Sequence, residues 1–380
     1  MTIGELVTTL ERIAPLCFAE PWDNAGLIIG DAASTFTGPV LLTIDLTPAI
    51  LDEALAAHSS LILSYHPPIW SPLKRLTPEQ PKGGLLLRLL RAGVAVYSPH
   101  TALDAAPDGV TDWLCDMLAD ADQTGRDLGD RRALQPAAFD DPDQTHKIVT
   151  FLPADKVATV RDALASVGAG QIGAYSQCSF SHTGAGTFFA PEGAHPAVGV
   201  TGQLQTVNEI RLEMVCPARS LPLAVEMLRQ FHPYEEPAFD LYPLTPKPTR
   251  TIGAGRRLTL DQPATPADLA SRLRANLAVD AVKLAEASDD PIERVGVCPG
   301  AGADLLDAAV AAGCQLFVTG EMRHHEALAA ADAGCSILLA GHTNTERGYL
   351  SRYAQRINAL APDAHARPAA SCGPIFRTIS

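Results

Sequence analysis

The clearest structural signal in the chain is a stretch near its end, Ser336-Ile337-Leu338-Leu339-Ala340-Gly341-His342-Thr343-Asn344-Thr345-Glu346. Its first five residues form a short, largely apolar run, which predicts a buried parallel strand. Apolar side chains at helical spacing follow Glu346, and Thr343 or Asn344 is the expected N-cap of that helix. We therefore expect His342 at the end of a strand and Glu346 on the first turn of the next helix.

An imidazole and a carboxylate four residues apart can meet over one point, and both are ligands of divalent metals. Taken alone, the pair is more simply explained by an exposed histidine and a glutamate that favours the positive end of a helix. The pattern occurs a second time, however, where the apolar run 94–97 leads into His100-Thr101-Ala102-Leu103-Asp104. Because both copies of His-Thr-x-x-carboxylate follow an expected strand, we interpret them as parts of a metal site.

Composition excludes some classes of function. The chain has 380 residues, of which 47% are hydrophobic, and a net charge of −14. This length allows two or three domains with sizeable cores. The acidic balance argues against nucleic-acid binding, which needs a basic face, but leaves room for a small anionic ligand held locally. Scattered cysteines without a CxxC pair, no signal peptide and no run of about 18 apolar residues predict a reduced cytoplasmic protein that does not cross a membrane.

Strand-like and helix-like patterns alternate at both ends of the chain. Helices separate the expected strands, which are 40–44, 61–64, 94–97, 295–298, 316–319 and 336–340. Such alternation predicts parallel, right-handed βαβαβ units. The expected fold class is therefore α/β, with a duplicated βαβαβ core built from both chain ends. An amphipathic helix is expected over 3–14, begun by a capping box of Thr2 and Glu5.

The middle of the chain has a different pattern. Residues 118–146 are acidic and rich in turn formers, which predicts a linker or an exposed excursion of the chain. The prolines over 243–248 predict a stiff exit. Between them, helix and strand patterns predict an inserted α+β domain of the ferredoxin-like kind. The expected divisions are 1–130 and 250–380 for the two halves of the metal-binding core and 147–244 for the insertion.

Further candidate ligands stand at expected strand ends, which is where open α/β sheets bind their ligands. His66 follows one of these strands, and two prolines fix the backbone directly after it. Alone, it is explained equally well as a core or turn residue. With Asp104, His342 and Glu346 it completes a set of two histidines and two carboxylates. Such a set suits zinc, iron or manganese, and a bridging glutamate suits a dinuclear centre.

Other residues are candidates for substrate contact. Gly300 and Gly302 lie in a turn between a strand and a helix, where backbone amides can bind an anion, although tight turn packing explains these glycines as well. Lys74 and Arg75 lie soon after the proline turn. They could hold phosphates or form a solvated pair of loop charges. Tyr65 is the remaining candidate, because it directly precedes a candidate metal ligand.

Taken together, these motifs resemble those of the GTP cyclohydrolase I type 2 homologs, a family with a dinuclear metal centre. The resemblance covers nearly the whole chain. The matching stretches of the core are Trp22-Asp23-Asn24-Ala25-Gly26-Leu27, Tyr65-His66-Pro67-Pro68, 100–106, 300–304, Thr319-Gly320-Glu321 and 341–346. In the insertion, residues 170–175 and 232–238 are similar to stretches of PII/CutA-like trimerising domains.

The resemblance implies an assembly and a ligand set. The duplicated core would form a ring-shaped homohexamer that binds one or two divalent ions per chain. By motif, the metal ligands are His66, Asp104, His342 and a bridging Glu346. Tyr65 stands where many bacterial members have a second histidine. We therefore expect one metal position to bind weakly, because a protonated phenol is a poorer ligand than a neutral imidazole.

Two hypotheses for function follow. The first is a metal-dependent hydrolase acting on a nucleotide-like substrate, and opening of the guanine ring of GTP is one such reaction. A metal-activated water would be the nucleophile, and His100 would carry a proton. The alternative is a non-enzymatic scaffold or regulatory ring in which the metal is structural.

Overall fold

A computed structural model describes residues 1–120, 129–139, 143–373 and 376. In this structure the chain forms two compact units. The first combines both chain ends, Met1–Ala137 and Thr249–Ser380, and the second is Ala138–Pro248. The domain bounds expected from the sequence stay predictions.

Helices and strands alternate through most of the described chain. The helices are α1 Ile3–Glu11, α2 Pro48–Ala56, α3 Pro81–Ala92, α4 His100–Ala105, α5 Val110–Asp116, α6 Val157–Ser166, α7 Leu221–Phe231, α8 Pro266–Asn276, α9 Leu306–Ala311, α10 His324–Asp332 and α11 Tyr349–Leu360. The strands are β1 Gly26–Ile29, β2 Leu41–Thr43, β3 Leu61–Ser64, β4 Ala95–Ser98, β5 Gly129–Arg132, β6 Gln135–Phe139, β7 His146–Leu152, β8 Phe180–Phe189, β9 Leu204–Cys216, β10 Phe239–Pro243, β11 Lys247–Ala254, β12 Arg256–Ala264, β13 Lys283–Ala285, β14 Ile292–Val297, β15 Leu316–Thr319, β16 Ser336–Leu339 and β17 Arg367–Pro368.

The two large sheets of the first unit are of similar design. Their strand orders are β1-β4-β3-β2-β17 and β13-β16-β15-β14-β12-β5. Each sheet has three consecutive parallel strands, β2-β3-β4 and β14-β15-β16, with a helix in each crossover. In each, an antiparallel strand flanks the third of these, β1 beside β4 and β13 beside β16. The duplicated βαβαβ core expected from the sequence is therefore confirmed.

Local sequence explains how these elements begin and end. Every residue of β2, β3, β4 and β15 is buried, as their continuous apolar runs predict. Helix α1 begins at the expected capping box, in which Thr2 and Glu5 each accept the other's backbone N–H. Helix α3 ends at Gly93, whose φ of 66° lies in the left-handed region that favours glycine.

The expected start of the last helix is wrong. Glu346 does not lie on its first turn, because α11 begins only at Tyr349 and residues 343–345 form a separate 3-10 turn. Side chains of this turn bond to nearby backbone carbonyls, which competes with regular helix formation.

The acidic stretch 118–146 is also more than a linker. Its residues 129–132 form β5, which pairs with β12 at the edge of the second sheet. An edge strand needs no apolar pattern, and the residues of β5 stay partly exposed. Asp122, Asp127 and the acidic pair at 140–141 belong to the same stretch, but they lie outside the described residues.

A buried ion pair joins the two chain segments of the first unit. Arg256 of β12 is 1% exposed, and its Nε donates to Asp112 of α5 at 2.9 Å. Its other N–H groups donate to four carbonyl oxygens, those of Gly253, Gly255, Ala105 and Ala106. The guanidinium is thus fully bonded, which a buried charge requires.

The second unit follows the chain order βαββαβ. Its sheet has the order β10-β7-β9-β8 with antiparallel neighbours throughout. The core contains residues of this sheet and of α6 and α7, among them Ile148, Leu164, Leu212 and Leu228. This is the arrangement of ferredoxin-like folds. The likeness to PII and CutA domains stays a prediction.

Two expectations from composition concern cysteines and membrane helices. All eight cysteines are free, and the buried ones are Cys115, Cys216, Cys314 and Cys335. In the described ranges, none of the helices has the length and hydropathy needed to cross a bilayer.

Candidate metal centre

Three candidate ligands meet at one point, although His66 is far in sequence from the other two. One ring nitrogen each of His66 and His342 and a carboxylate oxygen of Glu346 lie within 4.8 Å of one another. Nε2 of His342 is 3.2 Å from Oε1 of Glu346, and Nε2 of His66 is 3.7 Å from Oε2. We call these three residues the triad. His342 and Glu346 meet as the sequence motif predicts, and His66 joins them.

The turn after β16 begins at His342 and places Glu346 next to that histidine. Asn344 Nδ2 donates to the carbonyl of Ala340 at 2.8 Å, and Thr345 Oγ1 donates to that of His342 at 2.6 Å. These bonds close the 3-10 turn that follows the strand. His342 and Glu346, four residues apart, are therefore brought together by a tight turn and not by a helix.

Glycines make room for this turn. A Cβ at Gly300 would lie only 2.8 Å from Oε1 of Glu346, and its φ of 64° is also left-handed. The amides of Gly300 and Gly302 donate to the hydroxyls of Thr345 and Thr319, at 2.9 and 3.0 Å. Both amides are thus engaged within the protein, and the two glycines contribute space. That they bind substrate stays a prediction.

Three histidines of the site are each held by a carboxylate through Nδ1. The pairs are His66–Asp45 at 2.9 Å, His100–Asp23 at 2.8 Å and His342–Glu321 at 3.0 Å. Because an ionised carboxylate only accepts, each Nδ1–H donates, and Nε2 of a neutral ring is left with a free lone pair. Metal-ligating histidines are typically oriented in this way.

The triad attracts positive charge. Burial disfavours ionised Glu346, but its interactions with His342 and His66 outweigh that effect and hold its pKa below the usual value. Burial also disfavours protonated His66, yet its contacts with Asp45 and Glu346 raise its pKa to about 10. Contact with Glu346 raises the pKa of His342 to about 9. A cation is thus favoured at this point, whether it is a proton or a metal ion.

One buried oxygen of the triad has no hydrogen-bond partner among the described residues. Glu346 is 3% exposed, and the oxygen is its Oε2. The distance of 3.7 Å to His66 Nε2 is too long for a hydrogen bond. A buried carboxylate oxygen without a donor is costly, and an ion bound there would compensate it. With two imidazole nitrogens and a carboxylate, the residues fit zinc, iron or manganese.

Asp104, the fourth expected ligand, is bound to another side chain. Tyr65 is 2% exposed, and its hydroxyl donates to Oδ1 of Asp104 at 2.5 Å. Burial raises the pKa of Asp104 to about 6. Asp104 therefore does not belong to the triad, and its role as a metal ligand stays a prediction.

His100 packs beside the triad. Its ring centroid lies 5.5 Å from that of His66, and the residue is 7% exposed. Its partner Asp23 also accepts from the backbone N–H and the hydroxyl of Thr101, at 3.1 and 2.5 Å. Burial disfavours ionised Asp23, but bonds from His100 and Thr101 outweigh it and lower its pKa. An ionised Asp23 therefore fixes the orientation of His100.

Five further residues lie near the site or in the loop that follows His66. Lys74 and Arg75 are exposed in the loop after β3, and their contact with a substrate stays a prediction. The sequence does not assign Asp23, Asp45 and Glu321 to holding the histidines. Asp45 is a polar residue at an expected strand end, and Asp23 and Glu321 lie in the motifs that carry the family resemblance. For these two, the sequence does not reveal the course of their loops.

Comparisons with known proteins agree with the fold and the motifs. A protein of Mycobacterium leprae named GTP cyclohydrolase 1 type 2 homolog is 36% identical over 332 residues, which are 86% of this chain and 81% of the relative. A Bacillus subtilis protein of the same name is 33% identical over 338 residues, covering 89% of this chain and 87% of its own.

Solved structures show the same likeness. A Bacillus cereus protein related to NIF3 superposes with a TM-score of 0.76 at 29% identity, over 100% of this chain and 99% of the other. A Staphylococcus aureus protein gives a TM-score of 0.79 at 25% identity over the same shares. The family model described as Duf34/NIF3 (NGG1p interacting factor 3) matches residues 1–369. With the duplicated core and the matched motifs, this shows that the chain belongs to the Duf34/NIF3 family.

Proposed function

We propose that the chain is a metal-dependent hydrolase of a nucleotide-like substrate, with the triad as its metal site. The observation that carries this proposal is the buried Oε2 of Glu346. The part of the chain that the structure describes offers it no donor, and it lies beside two imidazoles fixed by carboxylates. The name of the relatives, GTP cyclohydrolase 1 type 2 homolog, supports GTP as the first substrate to test.

Each residue of the site has a role in this proposal. The triad would hold the ion, and Asp45 and Glu321 would fix its two histidines. A divalent ion supplies the charge that makes water nucleophilic at neutral pH. His100, oriented by Asp23, would carry a proton to or from the substrate. Asp104 and Tyr65 would line a second ion position of lower affinity.

The test joins metal content to turnover. The purified full-length protein is assayed for metals by elemental analysis and for turnover against GTP and a panel of nucleotides and phosphoesters. His342→Ala and Glu346→Ala should lose the metal and the turnover together. His324→Ala removes an exposed imidazole from α10 and should change neither. Equal turnover of the two triad variants and the native chain on every substrate would contradict the proposal.

The same proposal includes the homohexamer implied by the resemblance. Light scattering of the native protein measures its mass, before and after chelation of the metal. An enzyme should lose turnover on chelation and keep its mass. A chain that turns over no substrate and loses its assembly on chelation would instead act as a scaffold with a structural metal.

A further inference from the structure

Two of the three tryptophans of the chain are exposed beside the candidate metal centre. Trp22 is 63% exposed and Trp70 is 56% exposed, and their ring centroids are 5.7 Å apart at an angle of 46°. The third, Trp113, is 8% exposed. Large aromatic side chains that meet each other at the surface mark a binding site more often than isolated exposed ones do.

Both indoles rest on the histidine that lies beside the triad. The ring of His100 is 6.0 Å from that of Trp22 and 5.4 Å from that of Trp70, edge-on in both cases. The same ring lies 5.5 Å from His66. A group stacked on the indoles would therefore be one side chain away from the metal ligands.

The loop that carries Trp22 is held on both sides. The following residue, Asp23, is bound to His100 and Thr101, and its side chain is fully buried. Asn24 Nδ2 then donates to the carbonyl of Ile69 at 2.6 Å, directly before Trp70. The loops that carry the two indoles are thus bonded to each other. A surface that is ordered before binding loses less entropy when a ligand binds.

We propose that Trp22 and Trp70 form a stacking platform for the planar heteroaromatic ring of the substrate, a nucleobase-like group. This inference rests on the proposed function, because it names the part of a nucleotide-like substrate that the site recognises. Indole faces stack well on any nucleobase. The platform would hold the ring at the surface while the atoms to be hydrolysed face the triad.

The arrangement of the rings favours a planar ligand over a cation. A cage for a quaternary ammonium surrounds one point with aromatic faces. Here the indoles contact each other at 5.7 Å, so no gap separates them, and their exposed surfaces face outward. A flat ring can cover such a surface, whereas a small cation would stay largely in water.

Fluorescence tests this binding without any need for turnover. Guanosine and GMP are titrated into the full-length protein, with ribose 5-phosphate, inorganic phosphate and choline as probes that lack a planar ring. We expect guanosine and GMP to quench the fluorescence and the other three probes to leave it unchanged. The variant Trp22→Phe, Trp70→Phe keeps only the buried Trp113 and should show no quenching. Quenching by choline, or equal quenching in the double variant, would overturn the platform.

Affinity gives a second measurement. Trp22→Ala and Trp70→Ala should each weaken GMP binding by about 5-fold to 100-fold, the effect of losing one stacked aromatic. Tyr175→Ala removes an aromatic that is 76% exposed in the second unit and should bind GMP like the native chain. Melting temperatures and light scattering show whether each variant is folded and assembled. Tryptophan variants that bind GMP normally but change the mass would identify the pair as a subunit contact and overturn the proposal.

The two proposals fail in different ways. If the native chain and Glu346→Gln both bind GMP at the tryptophans but no nucleotide is hydrolysed, the proposed function fails and the platform stands. If GTP is hydrolysed while both tryptophan-to-alanine variants keep native KM and kcat, the platform fails and the hydrolase stands.

Discussion

The motif His-Thr-x-x-carboxylate occurs twice in this chain with two different outcomes. In the copy at 342–346, Nε2 of His342 lies 3.2 Å from Glu346. The histidines of both copies are held alike, because Nδ1 of His342 is bonded to Glu321 and Nδ1 of His100 to Asp23. The carboxylates differ, because Asp104 in the copy at 100–104 accepts from the hydroxyl of Tyr65.

The difference lies in the neighbours and not in the spacing. The spacing within a motif determines which of its side chains can contact each other. Whether they do so depends on the other hydrogen-bond partners that surround them. Asp104 has such a partner in Tyr65. No donor among the described residues reaches Oε2 of Glu346, and this leaves that oxygen available to an ion. The predictions below test that contrast.

The largest effect is expected from Glu346. We predict that Glu346→Gln lowers the affinity for zinc by at least about 100-fold, because the amide removes the charge and the unpartnered oxygen of the triad. The matched change in the other copy, Asp104→Asn, should lower the affinity of the tightest site by less than about 10-fold. Calorimetric titration of metal-free protein measures both. Equal losses would place Asp104 among the ligands of the tight site.

The carboxylates behind the histidines should show the same contrast on a smaller scale. Asp45→Asn and Glu321→Gln should each lower zinc affinity by about 10-fold, at the weak end of such effects because both side chains are partly exposed. Asp23 holds His100, which is outside the triad, so Asp23→Asn should leave zinc affinity unchanged. Competition with a chromophoric chelator resolves these differences. A loss for Asp23→Asn as large as for Asp45→Asn would mean that His100 is itself a ligand.

Tyr65 offers a way to make the two copies more alike. The native chain should hold about one tight metal per chain, because the hydroxyl of Tyr65 donates to Asp104 and so occupies that carboxylate. Tyr65→His replaces the phenol by an imidazole, and we expect the stoichiometry to approach two. Elemental analysis of both proteins after identical loading gives the numbers, with Tyr65→Phe as the control that adds no ligand. Two tight ions in the native chain would contradict this prediction.

The smallest expected effect is on stability and comes from Glu53, a carboxylate with several hydrogen-bond donors. Glu53 accepts from the backbone N–H groups of Ala370 and Ser371 and from Arg367. Burial disfavours its charge, but these donors outweigh burial and lower its pKa from 4.5 to about 2. Glu53→Gln should therefore reduce the free energy of unfolding by about 1 kcal/mol at pH 7, measured by urea denaturation.

The sign of the pH dependence follows from the lowered pKa of Glu53. Its stabilising effect is complete above pH 4.5 and is lost as the pH falls toward 2. The native chain and Glu53→Gln should therefore converge in stability over that range. Asp52→Asn, on the same helix but 62% exposed at its side chain, should cause little change at any pH. A constant difference between the native chain and Glu53→Gln at low pH would assign the effect to packing.

The fold could be predicted where local pattern determines it. Buried parallel strands such as β3 and β16 are short apolar runs, so their positions and order were visible in the sequence. Strand β17 was not, because it has two residues and joins the first sheet through backbone bonds beside β2. Strand β5 was missed for another reason, because its charged residues carry no apolar signal.

The candidate site was predictable to a similar extent. Strand ends place His66 and His342 at one edge of their sheets, and the four-residue spacing brings Glu346 to His342. The partner of Asp104 could not be predicted, because Tyr65 lies 39 positions away and only the folded chain brings the two together. The same holds for Asp23, whose loop has no regular structure.

The buried pair of Arg256 and Asp112 has a consequence for biosynthesis. These residues are 144 positions apart. In a nascent chain from which only β1 to β4 and α5 have emerged, Asp112 therefore has no guanidinium to bind. The sheet of these strands also waits for β17, which comes from residues 367–368. Contacts of such long separation form late. The triad also needs His342 and Glu346. A ribosome-bound fragment that ends before these residues therefore cannot assemble it, and an ion would be bound there only after they have been made.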